Sequence, residues 1–382
     1  METADVVIVG GGIVGCSIAM HLAERRAGRI ILLDRGQLGA GTSAKGSGGV
    51  RLQFSTAINI QLSLQAVPFF EQLRERFGID AEYEQRGYLF LVHDEASMGA
   101  FRQNLELQRR HGVPSREVTP DDIRALVPYL DTSDVVGGTY CAKDGRANPQ
   151  KVLHAYVDRA RALGVELREW TEVVALRRSG DRVTGVRTAA GEIDAPVVVN
   201  ACGPWAASLS AMAGVDEPIT PFRRQQFLTE PTTLVPRPTP FLIDGDRSFS
   251  IHSLGDQIRI GIARSGEVRG WNDQPDWDLV PLIRRRLARR APVLRDLQIV
   301  SAYAGLYEMS PDAHAVIGWA PGAPGLLLCN GFSGHGFMHS PITGLLVAEI
   351  LLDGAAHTVD ITCLRPSRFA EGATLSEGLA IL

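Results

Sequence analysis

Positions 6–9 are apolar without interruption, the run breaks on three consecutive glycines, Gly10, Gly11 and Gly12, and an apolar-periodic segment then extends to Arg26. A second apolar run, Ile30-Ile31-Leu32-Leu33, ends on Asp34. Short, wholly apolar runs are strands buried on both faces, and the segment between them has helical length, so residues 5–34 read as strand, tight turn, helix, strand and acid. A loop with six glycines follows to Gly49, unusually long for a connection between a strand and a helix.

Helical spacing resumes at 56–77 through Ile58, Leu62, Phe69, Leu73 and Phe77, with Pro68 as an expected kink and Gly78 as the stop. A β-rich run covers 88–92, and Met98, Phe101 and Leu105 mark a helix closed by Gly112. Thr119-Pro120-Asp121-Asp122 is a capping box, and Asn148-Pro149 supplies an N-cap and first position for a helix ended by Gly164. Strands are expected at 166–176 and 182–188, then at 196–200 before Gly203. From Pro221 the composition shifts to Arg223-Arg224-Gln225-Gln226 and a proline-rich run. Short strands at 241–263, a basic helix at 279–290, and strands at 313–318 and 325–330 complete the order. Gly331-Phe332-Ser333-Gly334-His335-Gly336-Phe337-Met338-His339-Ser340-Pro341 is a second glycine turn, and Ser340-Pro341 predicts an N-cap and first position for an apolar helix ending before Asp353-Gly354. The class is mixed α/β: a Rossmann-like domain (1–80, 144–221, 305–382) interleaved with a β-sheet-based domain (81–143, 222–304).

Composition excludes some functions. A net charge of −4 and a pI near 6.2 give no reason to expect nucleic acid or an anionic membrane surface. The arginines at 284, 285, 286, 289 and 290 read as a solvated face, since neighbouring aspartates offset them. Five scattered cysteines without a CxxC indicate neither a disulfide framework nor a zinc site, which fits a reducing cytoplasm. The apolar stretch 6–23 carries three glycines, Ser17 and His21, with no basic region before it. It reads as a buried βα unit rather than a leader or integral membrane segment.

The glycine turn carries chemistry. Gly10 and Gly12 allow a sharp turn and close approach of a pyrophosphate, Gly15 allows tight helix–strand packing, and the helix N-terminus offers free N–H groups. Asp34 stands where a carboxylate accepts from a ribose. These features indicate a dinucleotide, with nicotinamide and flavin both open; a packing-only turn would leave Asp34 without a role.

Four segments together resemble the FAD-dependent amine oxidoreductases of the D-amino-acid oxidase superfamily, in the branch of sarcosine oxidases, glycine oxidase and proline dehydrogenase flavin subunits. They are Gly10 to Ala19 with Asp34, Gly48-Gly49-Val50-Arg51 with Gln53-Phe54, Asn200-Ala201-Cys202-Gly203-Pro204-Trp205, and the turn at 331–337. The resemblance covers nearly the whole chain and implies a flavin domain woven with a sheet-based substrate domain. It places Gly10, Gly12, Ile13, Val14 and Gly15 at the pyrophosphate, Asp34 and Arg35 at the adenosine ribose, and Val173 at the adenine. Ser43 and Lys45 fall along the path to the ring. Gly203, Trp205, Gly334, His335, Gly336, Phe337 and Met338 fall around it.

The chemistry implied is oxidation of a primary or secondary amino acid, sarcosine or another N-methyl amino acid first, with hydride leaving the carbon next to nitrogen, imine hydrolysis, and O2 or an electron-accepting partner downstream. A helix N-terminus behind 336–338 would stabilise negative charge on the reduced ring. Arg51 is the leading clamp for a substrate carboxylate, with flavin contact as its other reading. Arg259 stands where sarcosine oxidases carry an oxygen-activating lysine, although a solvent-facing strand arginine is the simpler expectation. Tyr307, His335 and Met338 complete the candidate catalytic set, with a hydrogen-bonded structural role as the plainer reading of His335. Gly305-Leu306-Tyr307 lacks the cysteine that attaches flavin in monomeric sarcosine oxidases, so non-covalent FAD is expected. Met338 replaces their substrate-binding lysine and keeps open a dehydrogenase subunit of proline type. A flavoprotein assembly factor without turnover is the reading from another class.

Overall fold

The computed structural model describes residues 2–245, 249–264, 266, 267 and 269–379. Four apolar strands from distant parts of the chain, Leu326–Asn330, Val197–Asn200, Val6–Val9 and Ile30–Leu33, lie parallel in one six-stranded sheet. Val316–Trp319 flanks this row antiparallel and Glu166–Arg168 flanks it parallel. Almost every residue of the central strands is buried, because both faces are covered. On one face pack the helices Ile13–Glu24, Pro149–Ala162 and Gly336–Asp353; on the other lies a four-stranded sheet of Val173–Ser179, Arg182–Thr188, Gly191–Asp194 and Glu2–Thr3. The first and last of the three helices meet closely, with Ser17 Oγ donating to Ser340 O at 2.7 Å.

An eight-stranded sheet stands beside this unit, in the order Ile299–Met309, Thr220–Thr229, Gln257–Ile262, Phe249–Leu254, Phe241–Asp244, Tyr88–Val92, Gly137–Cys141, Arg116–Val118. Alternation gives it two different faces. Leu89, Leu91, Phe227, Ile258 and Ile260 pack behind it on Ile283 and Leu287 of the helix Val280–Arg290. Tyr88, Phe241, Gly261 and Tyr307 point to the front, toward the first unit.

Most expected elements are present: Ala57–Phe77 is one helix through Pro68 and ends on Gly78 in the left-handed region, and the capping box of Thr119 and Asp122 forms. Three expectations change. The run expected as one strand at 166–176 divides into Glu166–Arg168 and Val173–Ser179, which belong to different sheets, because the chain turns through Trp170 at φ +55°. The last helix begins at Gly336, not at Ser340, so Pro341 sits inside it. The carbonyl that Pro341 cannot bond, Phe337 O, accepts from Ser340 Oγ at 2.9 Å instead. Finally, the basic helix is a solvated face at Arg284, Arg285 and Arg289, whereas Arg286 is half-buried over the Phe249 ring and Arg290 is buried. That guanidinium is 1 % exposed and bonds Asp244 at 3.0 Å and Asp134 at 2.9 Å. It ties the helix to the back of the large sheet.

Arg290→Met strands buried carboxylates and is expected to cost about 3–5 kcal/mol of stability, whereas loss of the exposed Arg284 in Arg284→Gln costs below about 0.5 kcal/mol. Urea unfolding of the two variants checks the difference.

Candidate active site

The turn after Val6–Val9 is shaped by backbone contact. Gly10 has φ +108°, and a Cβ there would meet Ala201 O at 2.3 Å; a Cβ on Gly15 would meet Gly10 O at 1.9 Å. Both glycines are therefore required for packing, which frees Gly12 to face the space in front. Asp34, at the end of the neighbouring strand, accepts from Gly11 N at 2.7 Å and Gly36 N at 2.8 Å. The carboxylate thus holds the glycine turn and the start of the next loop together.

That space is a long groove of about 620 Å³. Val173, Asp34 and Arg35 line one end; Gly12, Ile13, Val14 and Ser43 line the middle with Gly10; Tyr307, Gly334, Gly336 and Phe337 line the far end. Gly15 lies behind it. Ser43 sits nearer the first glycine turn than the far end, its Oγ accepting from Ile13 N at 2.9 Å. Trp205 and Gly203 line the outer wall, and the Trp205 ring packs on Arg35 at 4.2 Å and on Trp271 at 5.6 Å. Two helix N-termini, at Ile13 and Gly336, open on this groove, and neither N-cap residue supplies a side-chain cap.

A second cavity, about 140 Å³, opens off the far end and shares Lys45, Tyr307, Gly334 and Phe337 with the groove. Tyr307 divides the two spaces; its ring fits over Gly334, where φ is +94° and a Cβ would come within 2.4 Å of the ring. Arg51, His335 and Met338 line this chamber with Tyr88, Phe241 and Arg224. Arg51 is 1 % exposed; it donates to Gln53 O, to Leu379 O at 2.9 Å, and lies 3.1 Å from His335 Nε2, with its guanidinium 3.9 Å from the Phe54 ring. Its Nε has no partner. Lys45 reaches Asp273 at 3.1 Å.

Burial, with Arg51 adding its charge, holds His335 well below the usual imidazole range, and burial with Arg51 lowers His339 to about 3. His335 Nε2 lies against Arg51 and His339 Nε2 is 2.9 Å from Ser63 Oγ, so each ring is tied to a neighbour in the fold, as the plainer reading of His335 expects. Arg259 is 8 % exposed and not solvent-facing as expected. It pairs in register with His252, lies over Tyr303 at 5.6 Å, and does not line the chamber, which Gly261 two residues on does.

Two residues went unrecognised in the sequence. Arg224 shares the chamber wall, and period-2 alternation was its signal: Arg223 turns away to Glu267 at 2.7 Å while Arg224 turns in. Glu308 lines the groove beside Tyr307 and accepts from Gly331 N at 2.9 Å. Burial pushes its carboxyl up to about 8, and the nearby Glu217 adds to the rise. A lone glutamate in a strand carries no sequence signal of that kind.

The FAD dependent oxidoreductase family matches residues 5–350, and the chain belongs to it. It is 28% identical to FAD-dependent oxidoreductase domain-containing protein 1 from Xenopus laevis, over 96% of this chain and 83% of that one. It is 27% identical to the mitochondrial sarcosine dehydrogenase of Mus musculus over 92% of its length, but spans only 40% of that relative. Among solved structures, L-proline dehydrogenase from P. horikoshii superposes with a TM-score of 0.91 at 30% identity, over 98% of this chain and 99% of that one. The protein is thus a member of a family of FAD-dependent oxidoreductases. Among the described residues no helix is long and apolar enough to cross a membrane.

A carboxyl titrating near 8 on the wall of this groove is neutral at pH 7 and gains a negative charge above that value. The visible spectrum of the bound flavin is expected to shift with a midpoint near pH 8, and Glu308→Gln abolishes that transition; a pH titration of absorbance checks both.

Proposed function

We propose that the protein oxidises an amino acid carrying a free secondary or primary amine, with sarcosine or another N-methyl amino acid as the first choice. The observation that carries this reading is the chamber beyond Tyr307, which opens directly off the groove and is lined by Arg51, a guanidinium whose buried Nε has no hydrogen-bond partner. A guanidinium on the wall of a small cavity suits a carboxylate. The amine-bearing carbon of a ligand held there would lie at the Tyr307 boundary, where the chamber meets the groove.

Bound FAD supplies the two-electron acceptor, and this chain's residues do the rest. Gly12 with the N-terminus at Ile13 would receive the pyrophosphate, and Asp34 with Arg35 the ribose. The uncapped N-terminus at Gly336 would favour negative charge at the far end of the groove, which lowers the barrier to accepting electrons there. His335 holds Arg51 in place. With burial and the Arg51 charge holding His335 well below the usual imidazole range, the chamber selects the free amine of the substrate rather than removing its proton, and water then hydrolyses the imine.

Non-covalent binding rests on thiol chemistry. Cys202 and Cys329 line the groove, and burial raises both thiols far above their ordinary range. Protonated thiols are poor nucleophiles. Oxygen as acceptor is our first reading; a proline-type dehydrogenase that hands electrons to a partner is the second, favoured by Met338 in the chamber and by the fit to the proline dehydrogenase structure.

Anaerobic mixing of the purified protein with sarcosine, N-methyl-alanine, proline, glycine and D-alanine is expected to bleach the flavin with one of the N-methyl compounds first, and air to restore the colour with release of peroxide. Turnover with a dye but none with oxygen would establish the second reading. Acid precipitation releases all the flavin if the cofactor is not covalently attached.

A further inference from the structure

The chamber holds a second guanidinium for which the reading above has no use. Arg224 lies on the strand Thr220–Thr229, opposite Gly305 of Ile299–Met309, and faces the same cavity as Arg51. Its Nε and Nη2 are shielded from solvent and have no hydrogen-bond partner. Its surroundings are the rings of Phe222 at 4.6 Å and Tyr307 at 5.5 Å. The carboxylate whose charge acts on it, Glu267, bonds Arg223 through Oε1 and lies outside the chamber wall. Arg51 is better provided for, by two backbone carbonyls and the Phe54 ring, yet it too keeps an unpaired N–H.

Among the described residues no aspartate or glutamate lines the chamber, and Lys45 at its edge is satisfied by Asp273. The carboxylates that act on the two guanidiniums, Glu377 and Asp144 on Arg51 and Glu267 on Arg224, all lie outside the chamber wall, so donors left open there are completed best by a ligand anion. One carboxylate can complete Arg224 through a bidentate pair at Nε and Nη2, or meet the single open N–H of Arg51; the guanidinium left over then still faces an uncharged cavity. Gln226, on the same sheet face, also has an unpaired Oε1, able to accept from an amine or amide held between the two arginines.

Resting on the amino-acid reading of this site, we propose that the substrate is an amino dicarboxylate, an N-alkyl amino acid whose second carboxylate is held by Arg224 while Arg51 holds the first. Arg224 is a specificity-determining residue here, acting on the end of the substrate remote from the reacting carbon.

The test has two arms, both on the flavin-loaded protein. In the first, perturbation of the flavin spectrum is titrated with succinate and with butanoate, which match in length but differ by one carboxylate. Succinate is expected to bind at least tenfold tighter, and Arg224→Gln to erase that difference. In the second, kcat/KM is compared for N-methyl-aspartate and N-methyl-asparagine. The aspartate compound is preferred, and Arg224→Gln lowers the ratio by roughly 30-fold. Equal binding of succinate and butanoate by the unmodified protein would overturn the proposal. So would an Arg224→Gln variant that weakens mono- and dicarboxylates alike, because Arg224 would then hold the carboxylate common to both. If Arg224→Gln does not take up flavin, the comparison in the unmodified protein decides alone. If no amine bleaches the flavin, the amino-acid reading fails while the succinate titration still decides whether the chamber takes two anions.

Discussion

The structure depends on one place where backbone touches backbone. Gly10, Gly15 and Ala201 come from two distant segments, and the contact distances at Gly10 and Gly15 leave no room for a Cβ. The parallel strands Val6–Val9 and Val197–Asn200 pair only after the chain has left the first unit, built three strands of the other sheet and returned. A second excursion and return, through Leu326–Asn330 beside Val197–Asn200, carries the second glycine turn to the same groove, so that helix N-termini at Ile13 and Gly336 open on it. Weak partial charges at two helix ends become one electrostatic surface because the sheet holds them in register.

The second sheet then sets what can approach the far end of that groove. Its back is closed by an apolar core and by the Arg290 network, so its front is free to present polar groups. Alternation along Thr220–Thr229 places Phe227 behind and Arg224 in front. The chamber is consequently cationic and lacks carboxylates among the described residues, next to a glutamate at the groove that is neutral at pH 7.

Much of this was legible in the sequence. The glycine turn, the acid after the second strand and the buried strand before Gly203 carry local rules, and local rules survive folding. The resemblance at 331–337 then pointed to a flavin. What stayed hidden was non-local. Arg259 is buried because Gly46 and Tyr303 cover it from other parts of the chain. Glu308 is neutralised by an environment assembled from three segments. The start of the last helix was misplaced because Ser340-Pro341 has the form of an N-cap pair, while Gly336 lacks any cap signal; the hydroxyl that looked like a cap instead relieves the proline one turn inside.

The central claim is that the chamber beyond Tyr307 presents the carbon next to nitrogen of a carboxylate-anchored amine to the flavin, and that loss of hydride from that carbon is the chemical step. The rate of anaerobic flavin bleaching, measured with an N-methyl amino acid carrying deuterium at its oxidised carbon and again with the ordinary compound, tests it most directly. Slower bleaching with deuterium is the predicted result. Equal rates, or a flavin that stays oxidised with every carboxylate-bearing amine, would contradict the account.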